Sequence, residues 1–123
     1  MSPQHHNHLN PMQVESEILR LSNLLEERVS DFQTAITRAA EAEARFKYLY
    51  ARAMLDGFEQ FPGRAHTVAE REARVEVECA DAHAAYLITD ATAKSVREAL
   101  TALRSQIDAL RTLAANQRSM MAP

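Results

Sequence analysis

Three groups of side chains have types and spacings that could do chemistry. Cys79 and His83 stand four residues apart, with Glu76 three before the cysteine, so on a helix the three share one face. That is half of a zinc-site geometry. With one cysteine in the chain and no neighbouring histidine, the remaining ligands would have to come from a second copy. The same pair could suggest thiol catalysis, yet nothing nearby offers an oxyanion hole or an orienting third group. A small buried thiol beside a half-exposed imidazole is the plainer reading. His5, His6 and His8 form a second group, but they lie in a polar segment with two prolines that holds no fixed geometry, so no metal is expected there.

The third group is a line. Arg97, Arg104, Arg111 and Arg118 recur every seven residues, about 10 Å apart along a helix, and a row of guanidinium groups can follow phosphates. With Leu100 and Leu103 taken as the a and d positions of a heptad, these arginines fall at successive e positions, where coiled coils place flanking charges. No aromatic residue is interleaved with them for base stacking. Phe58 and Phe61, beside Pro62-Gly63, are the candidate partner-binding residues: two rings at a bend can anchor another protein or fold back as a plug. Tyr48, Tyr50 and Met54 make a second adhesive face suited to self-association. No glycine-rich phosphate cradle occurs, and the carboxylates are scattered among arginines at helix-surface spacing. The expectation is no enzyme, no catalytic residue and no cofactor.

Composition says what must position these groups. The 123 residues hold two Gly and no Trp, the profile of long helices in one domain. A net charge of −3 argues against a protein whose main task is coating nucleic acid. The lone Cys79 suits a reducing compartment, no apolar run approaches a membrane span, and the first residues lack signal-peptide features. The expected location is the cytoplasm.

In order, residues 1–11 read as a flexible tail. From Pro11 or Met12 to Asp56 the pattern is helical, with Ile18, Leu21, Leu25, Val29, Phe32, Ile36 and Ala39 at three-four spacing, continued by Ala42, Phe46, Leu49 and Ala53. Gly57 after Asp56 suggests a left-handed terminator. Residues 57–66 hold both glycines and Pro62, the one credible break. Thr67 with Glu70 fits a capping box opening a single helix over 67–118, and residues 119–123 are expected to fray. The predicted fold is all-α: a long antiparallel two-helix hairpin, coiled-coil-like, folded near residues 61–62 so that residue i faces roughly 123 − i. The acidic stretch 12–31, net −3, would then lie beside the basic stretch 91–118, net +3. One seam cannot cover Leu19, Leu24, Tyr48, Val75 and Ile88 as well, so a homodimer forming a four-helix bundle is expected.

The run TVAEREARVEVECADAHAAYLITDATAKSVREALTALRSQIDALRTLAANQRS, preceded by AEAEARFKYLYARAML, resembles small helical proteins of unassigned function from phages and prophages of Gram-positive, especially actinobacterial, hosts. The likeness is carried by helix-rich pattern over about eighty residues, chiefly Ala42–Leu55 and Ala99–Arg118. It implies a setting in phage replication, recombination or host takeover, and transfers no site residue. The expected function is a non-enzymatic phage interaction protein that binds a host or phage protein through its bundle surface or loop tip. The alternative is a nucleic-acid-binding accessory factor using the Arg97–Arg118 line, and a third is a virion structural part.

Overall fold

The computed structural model describes residues 9–60 and 67–121, with the side chains of 57–60 outside that description. Those residues form three helices and no strand: α1 (Pro11–Gln60), α2 (Val68–Glu78) and α3 (Ala80–Met121). The protein is all-α. The His5/His6/His8 group lies outside the described residues.

A reciprocal box that the sequence reading did not single out starts α1. The Asn10 side chain accepts from the Gln13 amide at 2.9 Å, and Gln13 Oε1 accepts from the Asn10 amide at 2.9 Å. Two otherwise orphaned donors are thereby satisfied, and Pro11 occupies the first helical position, where its missing N–H costs nothing. At its other end α1 does not stop at Gly57 but runs on to Gln60. Glycine inside a helix costs about 1 kcal/mol relative to alanine without forbidding it. The first residue that opposes continuation is Pro62, which disfavours helical backbone at the residue before it.

The expected single helix over 67–118 is divided at Cys79. Thr67 caps α2, accepting from the Glu70 amide at 3.1 Å. Cys79 then takes φ −99° and ψ 14°, outside the helical well, yet donates to the Val75 carbonyl at 2.8 Å and accepts from the His83 amide at 2.9 Å. Since backbone pairing passes through the break, it costs little and shifts no register. Neither Gly nor Pro marks it. Two features favour it: Glu76 and Glu78 oppose the dipole at the end of α2, and the Cys79 side chain is buried against α1. Nor does the helix fray after Arg118; α3 continues through Met121.

The chain divides into two units. In the first, α1 up to Asp31 and α3 from Val96 bury Val14, Leu21, Leu100, Ile107 and Ala114. Gln117 Nε2 donates to the Leu9 carbonyl at 2.8 Å, tying the residue before the α1 cap to the end of α3. The buried Oε1 of Gln117 has no hydrogen-bond partner. The ion pairs of this unit are Arg20 with Glu17, Arg28 with Asp31 at 3.1 Å and Arg111 with Asp108 at 3.8 Å. All lie within one helix, so among the described residues the expected attraction between the acidic and basic stretches is not realised as cross-helix pairs. Side chains three or four apart on one helix meet with less ordering cost than flanks reaching across a seam. The Arg20 hydrogen bond holds the Glu17 carboxyl below its ordinary value.

The second unit comprises Phe32–Ser95. Ala53 of α1, Val75 of α2 and Cys79 form its buried cluster, with Phe46, Leu49, Tyr50 and Met54 packed against it. Tyr50 and Met54 therefore belong to the core side rather than to an outer adhesive face; only Tyr48 of that trio is exposed. The expected register placed Phe46 beside Val77, but Val77 is 79% exposed and Phe46 stacks on His83, six residues further on. The cause is the longer α1: the midpoint between the end of α1 and the start of α2 falls at residue 64, not at 61–62.

Burial follows a period of seven. Cys79, Ala93, Leu100, Ile107 and Ala114 are buried and Tyr86 half-buried on one line; Ile18, Leu25, Phe32, Ala39, Phe46 and Ala53 make the matching line on α1. Ile36, expected in the stripe, is 46% exposed, and Ala35 takes its place. Leu100→Ala is therefore expected to cost about 2–5 kcal/mol, against less than about 1 kcal/mol for Ile36→Ala. Urea unfolding followed by far-UV circular dichroism measures both, and equal losses would remove the register described here.

Candidate functional site

The best-formed concavity lies in the second unit. It is a groove of about 410 Å³ between α1 and the junction of α2 with α3. Leu49, Ala53, Cys79, Ala82 and Ala85 line it with apolar surface, Arg45, Arg52 and Asp56 border it on α1, and Glu78 and Asp81 border it opposite. Helical spacing builds both walls. Arg45 and Arg52 are seven apart on one line of α1, with Arg38 a further seven back. Arg52 is held in place by its own helix: Nη1 donates to the Tyr48 hydroxyl at 3.1 Å, and Nε lies 3.9 Å from Asp56. Small residues at 82 and 85 leave the opening. The arginine repeat expected on the second long helix thus has a counterpart on α1, legible in the sequence by the same seven-residue spacing.

Beside the groove the Glu76–Cys79–His83 trio takes a structural arrangement. The His83 ring lies flat on Phe46, with centroids 4.5 Å apart and planes 7° from parallel, and its Nδ1 is 3.8 Å from Glu76. Tyr86 stacks on the same phenyl ring at 5.9 Å, and Tyr50 meets it edge-on at 5.9 Å. One phenylalanine of α1 thus gathers three rings, two of them from α3, each such pair contributing about 0.5–1.5 kcal/mol beyond burial. Burial first, then Glu78 and Glu76, push the Cys79 thiol above its ordinary value. Enclosure and a raised thiol pKa both lower its reactivity. Burial, followed by Glu72 and Glu76, likewise raises the Tyr50 phenol. Among the described residues no group of three or more His, Cys, Asp or Glu side chains is placed to hold a metal ion.

Arg97, Arg104, Arg111 and Arg118 all belong to the first unit and are all exposed on α3. Among the described residues Arg111 alone of the four has a carboxylate at ion-pair distance, Asp108 at 3.8 Å. The spacing expected from the sequence is therefore present as a solvent-facing line. Phe58 lies in the last turn of α1, but its side chain, like Phe61 altogether, is outside the described residues.

The environment of Cys79 sets its reactivity. Alkylation by iodoacetamide at pH 7.5 is expected to run at least about 100-fold slower in the folded protein than in urea, read by mass spectrometry over time. Native labelling as fast as unfolded labelling would show the thiol to be open and activated.

No protein-family model matches the chain, and neither the curated proteins nor the solved structures gave a significant match, so a functional reading has the geometry above to stand on.

Proposed function

We propose that this chain is a non-enzymatic interaction protein of the phage or prophage kind, a helical hairpin that dimerises into a four-helix bundle and binds a protein partner in the bacterial cytoplasm. What supports the reading is surface that the chain leaves uncovered. Leu19, Tyr48, Leu55, Leu87 and Ile88 are each more than half exposed, while among the described residues the buried set is nine side chains, most of them small or medium. Apolar side chains at helical spacing that the chain's own packing leaves wet are what a second copy or a partner covers. No helix among the described residues is long and apolar enough to cross a membrane.

The partner contact is assigned to the bundle surface and to the tip carrying Phe58 and Phe61. Sedimentation equilibrium is expected to give twice the chain mass. Affinity purification from infected or lysogenic cells is expected to retrieve one partner with the wild type and lose it with Phe58→Glu/Phe61→Glu at unchanged helicity. Melting of that variant would instead assign both rings to a plug.

A second reading, nucleic-acid binding along Arg97, Arg104, Arg111 and Arg118, is favoured by one observation: all four are exposed on one line and three have no carboxylate at ion-pair distance among the described residues. Under the leading reading, DNA binding at 150 mM salt is weak and unchanged by Arg104→Glu/Arg111→Glu. Steep salt dependence that this double variant abolishes would reverse the order of the two.

A further inference from the structure

The groove of the second unit has an α1 wall of Arg45, Arg52 and Asp56, with Asp56 3.9 Å from Arg52, facing Glu78 and Asp81 on the other side, so a wall of net positive charge faces one of negative charge over a floor of small residues. We propose that this face is where two copies of the chain meet, with α1 of each copy seated over the α2–α3 junction of the other. The proposal rests on the dimer reading above and gives it a surface and an orientation.

An isologous interface must be self-complementary under a two-fold rotation. Two orientations of the axis are available to a face built from helices. An axis across the helices lays arginines on arginines and carboxylates on carboxylates. An axis along the helices carries each basic wall over the partner's acidic wall, and charge selects this one. It also preserves height along the helices, which can be read from the contacts. Ala53 packs with Val75 and Cys79, and Phe46 stacks on His83. Arg52, one residue before Ala53, is therefore level with Glu78 to within about one turn, and Arg45, one before Phe46, with Asp81. The rotation brings Arg52 to the partner subunit's Glu78 and Arg45 to the partner subunit's Asp81, each pairing occurring twice.

In this arrangement each α1 runs antiparallel to both of its neighbours, the usual order of an up-and-down four-helix bundle; the other axis gives the same order, so charge alone chooses between them. Ala82 and Ala85 admit close approach, while Tyr48 at 60% exposure, Leu55 at 68% and Ile88 at 65% lie beside the groove positions and gain cover.

Two charge-reversed variants test the face: Arg45→Glu/Arg52→Glu, whose walls are both acidic, and Glu78→Arg/Asp81→Arg, whose walls are both basic. Each alone is expected to dimerise on the order of 100-fold more weakly than wild type in sedimentation equilibrium. An equimolar mixture is expected to form a heterodimer, identified in native mass spectrometry by its intermediate mass. The fourfold variant with the walls exchanged is expected to dimerise like wild type, which guards against loss of folding in either parent. Wild-type affinity in either double variant alone, or a fourfold variant that stays monomeric while wild type dimerises, overturns this face and leaves the dimer standing. A wild type that is monomeric at 100 µM overturns both.

Discussion

Everything in this protein follows from the covering of a seven-residue apolar repeat. On α3 and its continuation from Cys79 the repeat places a buried or half-buried side chain on each successive pair of turns, and on α1 a matching line runs from Ile18 to Ala53. Neither α1 nor the line opposite can bury its own stripe, so in each unit α1 is joined along it, to α3 in the first unit and to α2 and the start of α3 in the second. Side-chain volume varies along it. Leu100 and Ile107 fill the seam of the first unit, whereas Ala53, Val75 and Cys79 fill that of the second. Smaller core residues bring backbones closer, and the ring cluster on Phe46 occupies the space beside them.

Charge plays a local part. The described ion pairs of the first unit run along single helices. Such pairs contribute a few tenths of a kcal/mol each when exposed. They leave the arginines at positions 97, 104 and 118 for water or for another molecule. In the second unit the charged walls of the groove border the seam residues Ala53 and Cys79. Around the one cysteine the side chains serve packing: the thiol is buried against α1, and the imidazole beside it lies flat on a phenyl ring with Glu76 3.8 Å from its Nδ1.

Helical periodicity, the near-absence of glycine and the Thr67 cap were legible in the sequence, because they depend on neighbours three, four and seven residues away. So was the exposed arginine line, since an e position flanking Leu100 and Leu103 can only face outward. Boundaries were less legible. Gly57 reads as a stop, but a single glycine is a small cost that a long packed helix absorbs. Cys79 carries no signal of a break, because its dihedrals answer to the packing of its side chain against α1.

By itself, then, the sequence determined the helices and which side of each must be covered, since both are consequences of spacing within a few turns. Register across the seam was decided only in three dimensions. It depends on where α1 ends, which moved the facing residue of Phe46 from Val77 to His83 and so created the ring stack. The groove is likewise a tertiary product. Its arginines on α1 are more than twenty residues from Glu78 and Asp81 in the chain, and only the packing of α1 on the α2–α3 junction sets them face to face.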